Sequence, residues 1–333
     1  TERWIGPVSS SSTAKAVAVL ARASRVYRPF DKKFADRCAE AAKKGWAWLL
    51  ANPEHVRAQN GASKQELWDD GPDFNDTGAR FVAAAEMWSV FRDQKALEQI
   101  PEFMKKDEAQ VGGFVTGAWS NLSRWALMIM AFDEKMPADL KKEAQARLIA
   151  GADNMLEQVE TNDGYRCASR LADYYWASNS NLMEKAHIMM VVARLKPDDE
   201  RYVKAARDQW HWILGRNPNG YSMVTRVGKG PDRIYHMEWG EMEPPPPGYL
   251  IDGPNASNMG FLAPGAPAKA LLWDNPEPLR SGLPAHSLWH WRQSDLWDAG
   301  WVKEGEWTEG WWAVNEPDIY YNANLIMVAA ALL

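Results

Sequence analysis

The residues of this chain that could do chemistry are tryptophans and carboxylic acids, and the tryptophans crowd toward its C-terminal third. Nineteen of the 333 residues are Trp, each a flat apolar face with a single N–H donor. Trp289, Trp291, Trp297, Trp301, Trp307, Trp311 and Trp312 all fall between Lys269 and Asn315. Such an excess builds either a large aromatic core or a groove in which sugar rings stack, because pyranose C–H faces are apolar while their hydroxyls need donors and acceptors. Position favours the groove. A loop has no core of its own to fill, so this cluster reads as a lid or subsite wall, with packing of the loop on itself as the alternative. Glu316 stands just beyond Trp311 and Trp312. An apolar wall of that kind disfavours a carboxylate and raises its pKa, which is the direction a proton donor needs. Taken alone, however, Glu316 reads first as the cap of a helix opened by Pro317, and a helix N-terminus favours the ionised form.

The elements that must position these residues are helices. Ser12-Thr13 reads as the N-cap of a first helix that buries Val17, Leu20, Ala21 and Ser24 and is closed by Pro29. A second helix carries Phe34, Cys38, Ala41, Ala42, Gly45 and Leu49 on one face and ends at Asn52-Pro53. The polar stretch 54–75 reads as a loop. Phe81, Ala84, Ala85 and Trp88 give the stripe of a third helix, and further helices are predicted near 95–106, 117–131, 137–159, 174–194, 199–214 and 317–332. The 199–214 stretch is expected to bury Val203, Ala206, Trp210, Ile213 and Leu214. From Gly215 to Val314 no long helical period survives; Gly, Pro, Asn and Trp dominate, including the run Pro244 to Pro247. A segment that long inside a compact domain is usually functional, the alternative being an inserted small β subdomain. The expectation is an all-α fold of nine helices with a long irregular, Trp-rich excursion before the last one.

Composition narrows the function classes. Net charge is −6, with no lysine-arginine stripe, so nucleic acid is a poor partner. No apolar run reaches the length of a membrane span. Only Cys38 and Cys167 occur, outside any C-x-x-C pair, and two buried free thiols are the expectation rather than a disulfide framework or zinc ribbon. Thr1 to Pro7 has no signal-peptide pattern, so compartment is not readable from the first residues.

Five motifs then occur in order: Trp176-Ala-Ser178-Asn179-Ser-Asn181; Asp208-Gln209 through Leu214-Gly215-Arg216-Asn217-Pro218-Asn219-Gly220-Tyr221-Ser222 to Val224-Thr225; Gly248-Tyr-Leu-Ile-Asp-Gly253-Pro254-Asn255; Pro267-Ala268-Lys269; and Asn315-Glu316-Pro-Asp-Ile319-Tyr-Tyr321-Asn322-Ala323. Together they resemble glycoside hydrolase family 9, the cellulase-type family, whose corresponding segments read W-G-S-N, D-Q-x-x-Y-L-L-G-R-N-P-x-G-x-S-x-V-T, P-G-x-L-V-G-G-P-N, P-A-K-S-Y and N-E-V-A-I-D-Y-N-A. The resemblance covers essentially the whole chain.

It implies an (α/α)6 barrel of twelve helices, of which nine are counted here. Residues 1–333 would then be the C-terminal major part of one catalytic domain, with its N-terminal segment, and any preceding β-sandwich module, outside this chain. The reaction implied is inverting hydrolysis of β-1,4-glycosidic bonds in cello-oligosaccharides or a related β-glycan. By that resemblance Glu316 is the general acid, and the base is an aspartate in an Asp-Ala-Gly-Asp motif that this chain lacks. Trp297-Asp298-Ala299-Gly300 shares three letters with that motif but lies too close to Glu316 in sequence to match its place. Substrate contacts are assigned by resemblance to His236, Glu238, Tyr321, Trp312 and Trp176, with inner-ring packing as the alternative for Tyr321.

Two departures stand out. The family's H-x-R reads His236-Met237-Glu238, and the acids that bind calcium in many members are Gly78-Ala79 here. No cofactor or metal is therefore expected, and calcium at Gly78-Ala79 is doubtful. Glu238 could meet a protonated amino sugar, which makes a glucosamine-type exo-hydrolase the first alternative, against a simple pairing with Arg233 or exposure to solvent. A non-catalytic sugar-binding relative is the second, and another (α/α)6 enzyme such as a lyase or phosphorylase the third. A secreted or periplasmic setting follows by resemblance only. The expected partners are a glycan substrate and the missing N-terminal segment of the same domain.

Overall fold

The computed structural model describes residues 7–57, 75–110, 122–161, 164–170, 173–174, 177–218, 220–231, 234, 245–254 and 316–333. Among these, the regular elements are nine helices: α1 (Ser10–Val26), α2 (Lys32–Ala51), α3 (Thr77–Phe91), α4 (Gln94–Gln110), α5 (Ser123–Phe132), α6 (Ala138–Thr161), α7 (Ser178–Leu195), α8 (Arg201–Ile213) and α9 (Ile319–Leu332). Extended pairing among the described residues is limited to two isolated antiparallel bridges, Val224 with Leu250 and Ile251 with Pro317. The all-α expectation holds. No described helix is long and apolar enough to cross a membrane. The chain divides into two compact units, Thr1–Gly151 and Ala152–Leu333.

In the first unit α3 is the central element, packed on α1, α4 and α5, while α1 also packs on α2. Every residue from Ala79 to Met87 is buried, which the small side chains of Ala83, Ala84 and Ala85 allow by letting neighbours approach all round. The first helix starts earlier than its sequence suggested. Ser9, not Ser12-Thr13, is the N-cap, its hydroxyl accepting from the Ser12 N–H at 3.2 Å. A run of serines offers several equivalent caps, and Ser10 decides among them: its Oγ and N–H both pair with Val56, tying the segment after α2 to the start of α1.

The face of α2 is also turned from expectation. Ala35, Cys38, Ala42, Trp46 and Leu49 are buried, while Ala41 is exposed. Trp46 can go inside because its indole N–H finds Asp93 at 3.3 Å, and Phe34 instead packs edge-on against Tyr27 at 5.0 Å. At the end of α2, Arg80 from α3 donates to the carbonyls of Leu49, Asn52 and Glu54 and pairs with Asp76 at 2.5 Å. One guanidinium thereby satisfies orphan carbonyls that a helix end leaves behind.

In the second unit α7 packs on both α8 and α9. The expected helix at 174–194 begins only at Ser178, because Ala177 adopts a left-handed φ of 70°. On α8 the buried set is Tyr202, Ala205, Ala206, Gln209, Trp212 and Ile213; Val203, Trp210 and Leu214 are only half-buried. Hydrophobicity alone could not choose between these faces. Gln209 does, since its amide accepts from the Ala168 N–H and donates to the Arg166 carbonyl, fixing the 166–168 segment against the helix. Tyr202 reaches the Asp153 carboxylate near the C-terminal half of α6. Cys38 and Cys167 are buried thiols outside any disulfide, as expected, with the Cys167 Sγ 3.8 Å from the Tyr174 hydroxyl.

Candidate active site

Four of the five sequence motifs meet in the second unit. After α8, Gly215 turns at φ 117° and Asn217 closes the turn by donating to the carbonyls of Trp212 and Tyr221, both at 2.8 Å. The chain then lays Met223 back on the Ile213 carbonyl. Thr225 pairs with Tyr249 and Gly248, and Met223 accepts from the Ile251 N–H, so that 223–225 and 248–251 lie antiparallel about the single Val224–Leu250 bridge. Its outer partner is the segment before α9: the Asp252 N–H donates to the Glu316 carbonyl at 3.1 Å, and Ile251 bridges to Pro317.

The start of α7 grips the same segment from the other side. The Asn179 N–H donates to the Asp252 carbonyl at 2.8 Å, the Asn179 amide to the Ile251 carbonyl at 2.9 Å, and the Ser178 hydroxyl to the Pro254 carbonyl at 2.6 Å. Gly253 has φ 91°, and a Cβ there would sit 2.3 Å from the Asn179 side chain. Only glycine fits that contact. From α9, the Asn322 amide oxygen accepts from the Leu250 N–H at 3.1 Å.

Glu316 is half-buried at the rim of this knot. It does not cap α9. Asp318 is the N-cap, accepting from the Tyr320 N–H, and Ile319 is the first helical residue. Pro317 belongs to the bridge with Ile251 rather than to the helix, which is why the sequence expectation of a helix starting there fails. Two residues of separation weaken the helix-terminus effect on Glu316, since that effect is confined to the first turn. Behind Glu316 lies Asp252, 0% exposed. One of its oxygens, Oδ2, accepts from the Glu316 backbone N–H at 3.0 Å.

Burial pushes the Asp252 carboxyl well above its ordinary 3.8, and the charge of Glu316 pushes it further. The Tyr321 phenol and the N–H groups of Glu316 and Ala177 act in the opposite direction. Tyr321 is itself fully buried, its ring edge-on to Tyr320 at 4.4 Å, and burial together with Asp252 raises its pKa so that it stays neutral.

Of the residues singled out in the sequence, the structure therefore brings Glu316 and Tyr321 together around Asp252. Tyr321 faces Asp252 from inside the protein. His236, Glu238, Trp312 and Trp176 lie outside the described residues, as do Asp298, Arg233 and the rest of the tryptophan-rich excursion. Gly78 and Ala79 open α3, and among the described residues no cluster of three or more His, Cys, Asp or Glu side chains is placed to hold a metal ion. Sequence reasoning passed over Asp252 and Asn179 as functional candidates. For Asp252 a signal existed: it stands where the first glycine of the G-G-P motif was expected.

Comparison with known proteins agrees with these motifs. The family model described as glycosyl hydrolase family 9 matches residues 4–329. Endoglucanase D of Acetivibrio thermocellus is 32% identical over 263 residues, covering 76% of this chain and 40% of that protein. A cellodextrinase of Butyrivibrio fibrisolvens is 26% identical over 271 residues, covering 77% of this chain and 48% of that protein. Among solved structures, the family 9 endoglucanase J30 superimposes with a TM-score of 0.73 at 26% identity, over 97% of this chain and 54% of its own. The chain thus spans about half, or less, of the length of these relatives.

Proposed function

We infer the function from one premise, that this chain belongs to glycosyl hydrolase family 9: it is the part of a β-1,4-glycan hydrolase that carries the general acid, Glu316. The observation that supports this most is the backbone knot beneath that residue. Glu316 sits on a segment held by Asp252 and Ile251, which are held in turn by Asn179, Met223 and Asn322 through Leu250. Proton donation needs a carboxyl kept at one place relative to the leaving oxygen, and a rigid backbone beneath it supplies that.

In the inverting reaction Glu316 gives its proton to the glycosidic oxygen. A second, ionised carboxylate about 6.5–9.5 Å away activates water on the opposite face of the sugar. The resemblance implies that this base is the aspartate of an Asp-Ala-Gly-Asp motif. Cello-oligosaccharides or a related β-glycan are the substrates proposed, consistent with the printed names of an endoglucanase and a cellodextrinase among the relatives.

Glu316→Gln in the full-length protein tests the reading. The amide cannot donate a carboxyl proton, and because Glu316 meets Asp252 through its backbone, the substitution leaves that hydrogen bond in place. Turnover of an unactivated β-1,4-glucan should fall by about 10³-fold, with KM little changed. Aryl glycosides with good leaving groups should be partly rescued. Near-normal turnover of the unactivated glycan would remove Glu316 from the role.

A further inference from the structure

We infer that Asp252 is a positioning residue for Glu316, its buried carboxyl holding in place the backbone from which the Glu316 side chain projects. The inference rests on the reading of Glu316 as the acid. Its geometry is reciprocal. The Glu316 N–H donates to Asp252 Oδ2 at 3.0 Å, and the Asp252 N–H donates to the Glu316 carbonyl at 3.1 Å. Two hydrogen bonds between the same two residues fix both the distance and the twist of the segment from which the Glu316 side chain projects.

An aspartate is not needed for such a clamp alone. A neutral acceptor would serve, and would avoid placing a carboxyl at 0% exposure. What a carboxylate adds is charge of the same sign as the group it holds. The charged and titratable neighbours on the described elements around it are Glu316, then Tyr321 and Tyr320 of α9, with Asp318 at the N-cap of that helix. The start of α7 contributes the Ala177 N–H and the neutral side chains Ser178 and Asn179. Among the described residues no cation is among the groups that act on it.

The two carboxyls therefore titrate as a coupled pair. Burial and the charge of Glu316 hold the Asp252 proton on, so Asp252 meets the Glu316 N–H as a neutral acceptor. The Tyr321 phenol that acts on Asp252 is itself buried and stays neutral.

Asp252→Asn separates charge from clamp, because its amide oxygen can still accept from the Glu316 N–H. In the full-length protein it should keep most of the kcat on a cello-oligosaccharide that Asp252→Ala loses, with KM within about twofold of the parent. Asp252→Ala removes the acceptor as well, and kcat at the optimum should fall at least about tenfold. Thermal unfolding of each variant reports whether it is folded, and if the alanine variant is not, the asparagine variant carries the test. A folded Asp252→Asn protein whose kcat falls about tenfold, or a folded Asp252→Ala protein with the parent's kcat, would overturn the inference while leaving Glu316 as the acid, provided Glu316→Gln assayed alongside is inactive. An active Glu316→Gln would instead overturn the reading of Glu316 itself.

Discussion

In the first unit Asp76, 6% exposed, meets Arg80, equally buried, at 2.5 Å, and the guanidinium goes on to satisfy three carbonyls at the end of α2. In the second unit Asp252, 0% exposed, accepts from one backbone N–H, that of Glu316, beside a buried phenol and another acid. The first arrangement compensates a buried charge with an opposite one and spends its remaining donors on backbone. The second leaves the carboxyl short of compensation beside a group of like sign. A buried charge that is fully matched is a latch for the fold. A buried carboxyl pushed off its ordinary pKa by a like neighbour, at the edge of a knot of motif residues, marks a place where proton affinity is being set.

The contrast can be broken most forcefully at Arg80. Arg80→Ala strands Asp76 without its counter-ion and leaves the carbonyls of Leu49, Asn52 and Glu54 without their donor. Unfolding by urea should show a loss of about 3–5 kcal/mol, and the position of the alkaline limb of the kcat profile should not move. A loss below about 1 kcal/mol would mean that the latch is replaceable by water.

A smaller effect is expected where the second knot is tightest. Gly253→Ala forces a non-glycine residue to φ 91° and places a methyl 2.3 Å from Asn179. Gly220→Ala, at φ 57° with nothing within 4 Å, suffers the backbone term alone, about 1–2 kcal/mol. Gly253→Ala should destabilise by clearly more than Gly220→Ala in the same denaturation series, and equal losses would show that Asn179 yields without cost.

The gentlest test is the pH dependence of stability. A carboxyl whose pKa is raised in the folded protein binds a proton that the unfolded chain has released. Its unfavourable contribution is absent below the unfolded value of 3.8, and stability falls as pH rises from there through the raised folded value. Glu86, whose carboxyl is also raised by burial against the opposing charge of Arg22, acts with the same sign in both proteins. The informative quantity is therefore the difference in Tm between Asp252→Asn and its parent, which should grow in favour of the variant as pH rises above about 4. A difference independent of pH would mean that burial does not raise the Asp252 carboxyl.

Much of this was legible in the residues. The helices of both units follow from 3.6-residue periodicity, and Glu316 was reached through motif order without any coordinates. Errors arose where several residues compete locally: which serine caps α1, which face of α2 or α8 turns inward, and whether Pro317 opens a helix. Each competition was decided by a distant partner, namely Val56 for Ser10, Asp93 for Trp46, the 166–168 backbone for Gln209, and Ile251 for Pro317.

The sequence by itself determined the all-α class, the order of the motifs and the residue proposed as the acid, because periodicity and local pattern are properties of neighbouring residues. Only the tertiary structure decided that Asp252 lies behind Glu316 and how its carboxyl is paired. Sixty-four positions separate these two residues, and no local pattern records which backbone N–H a buried oxygen will meet.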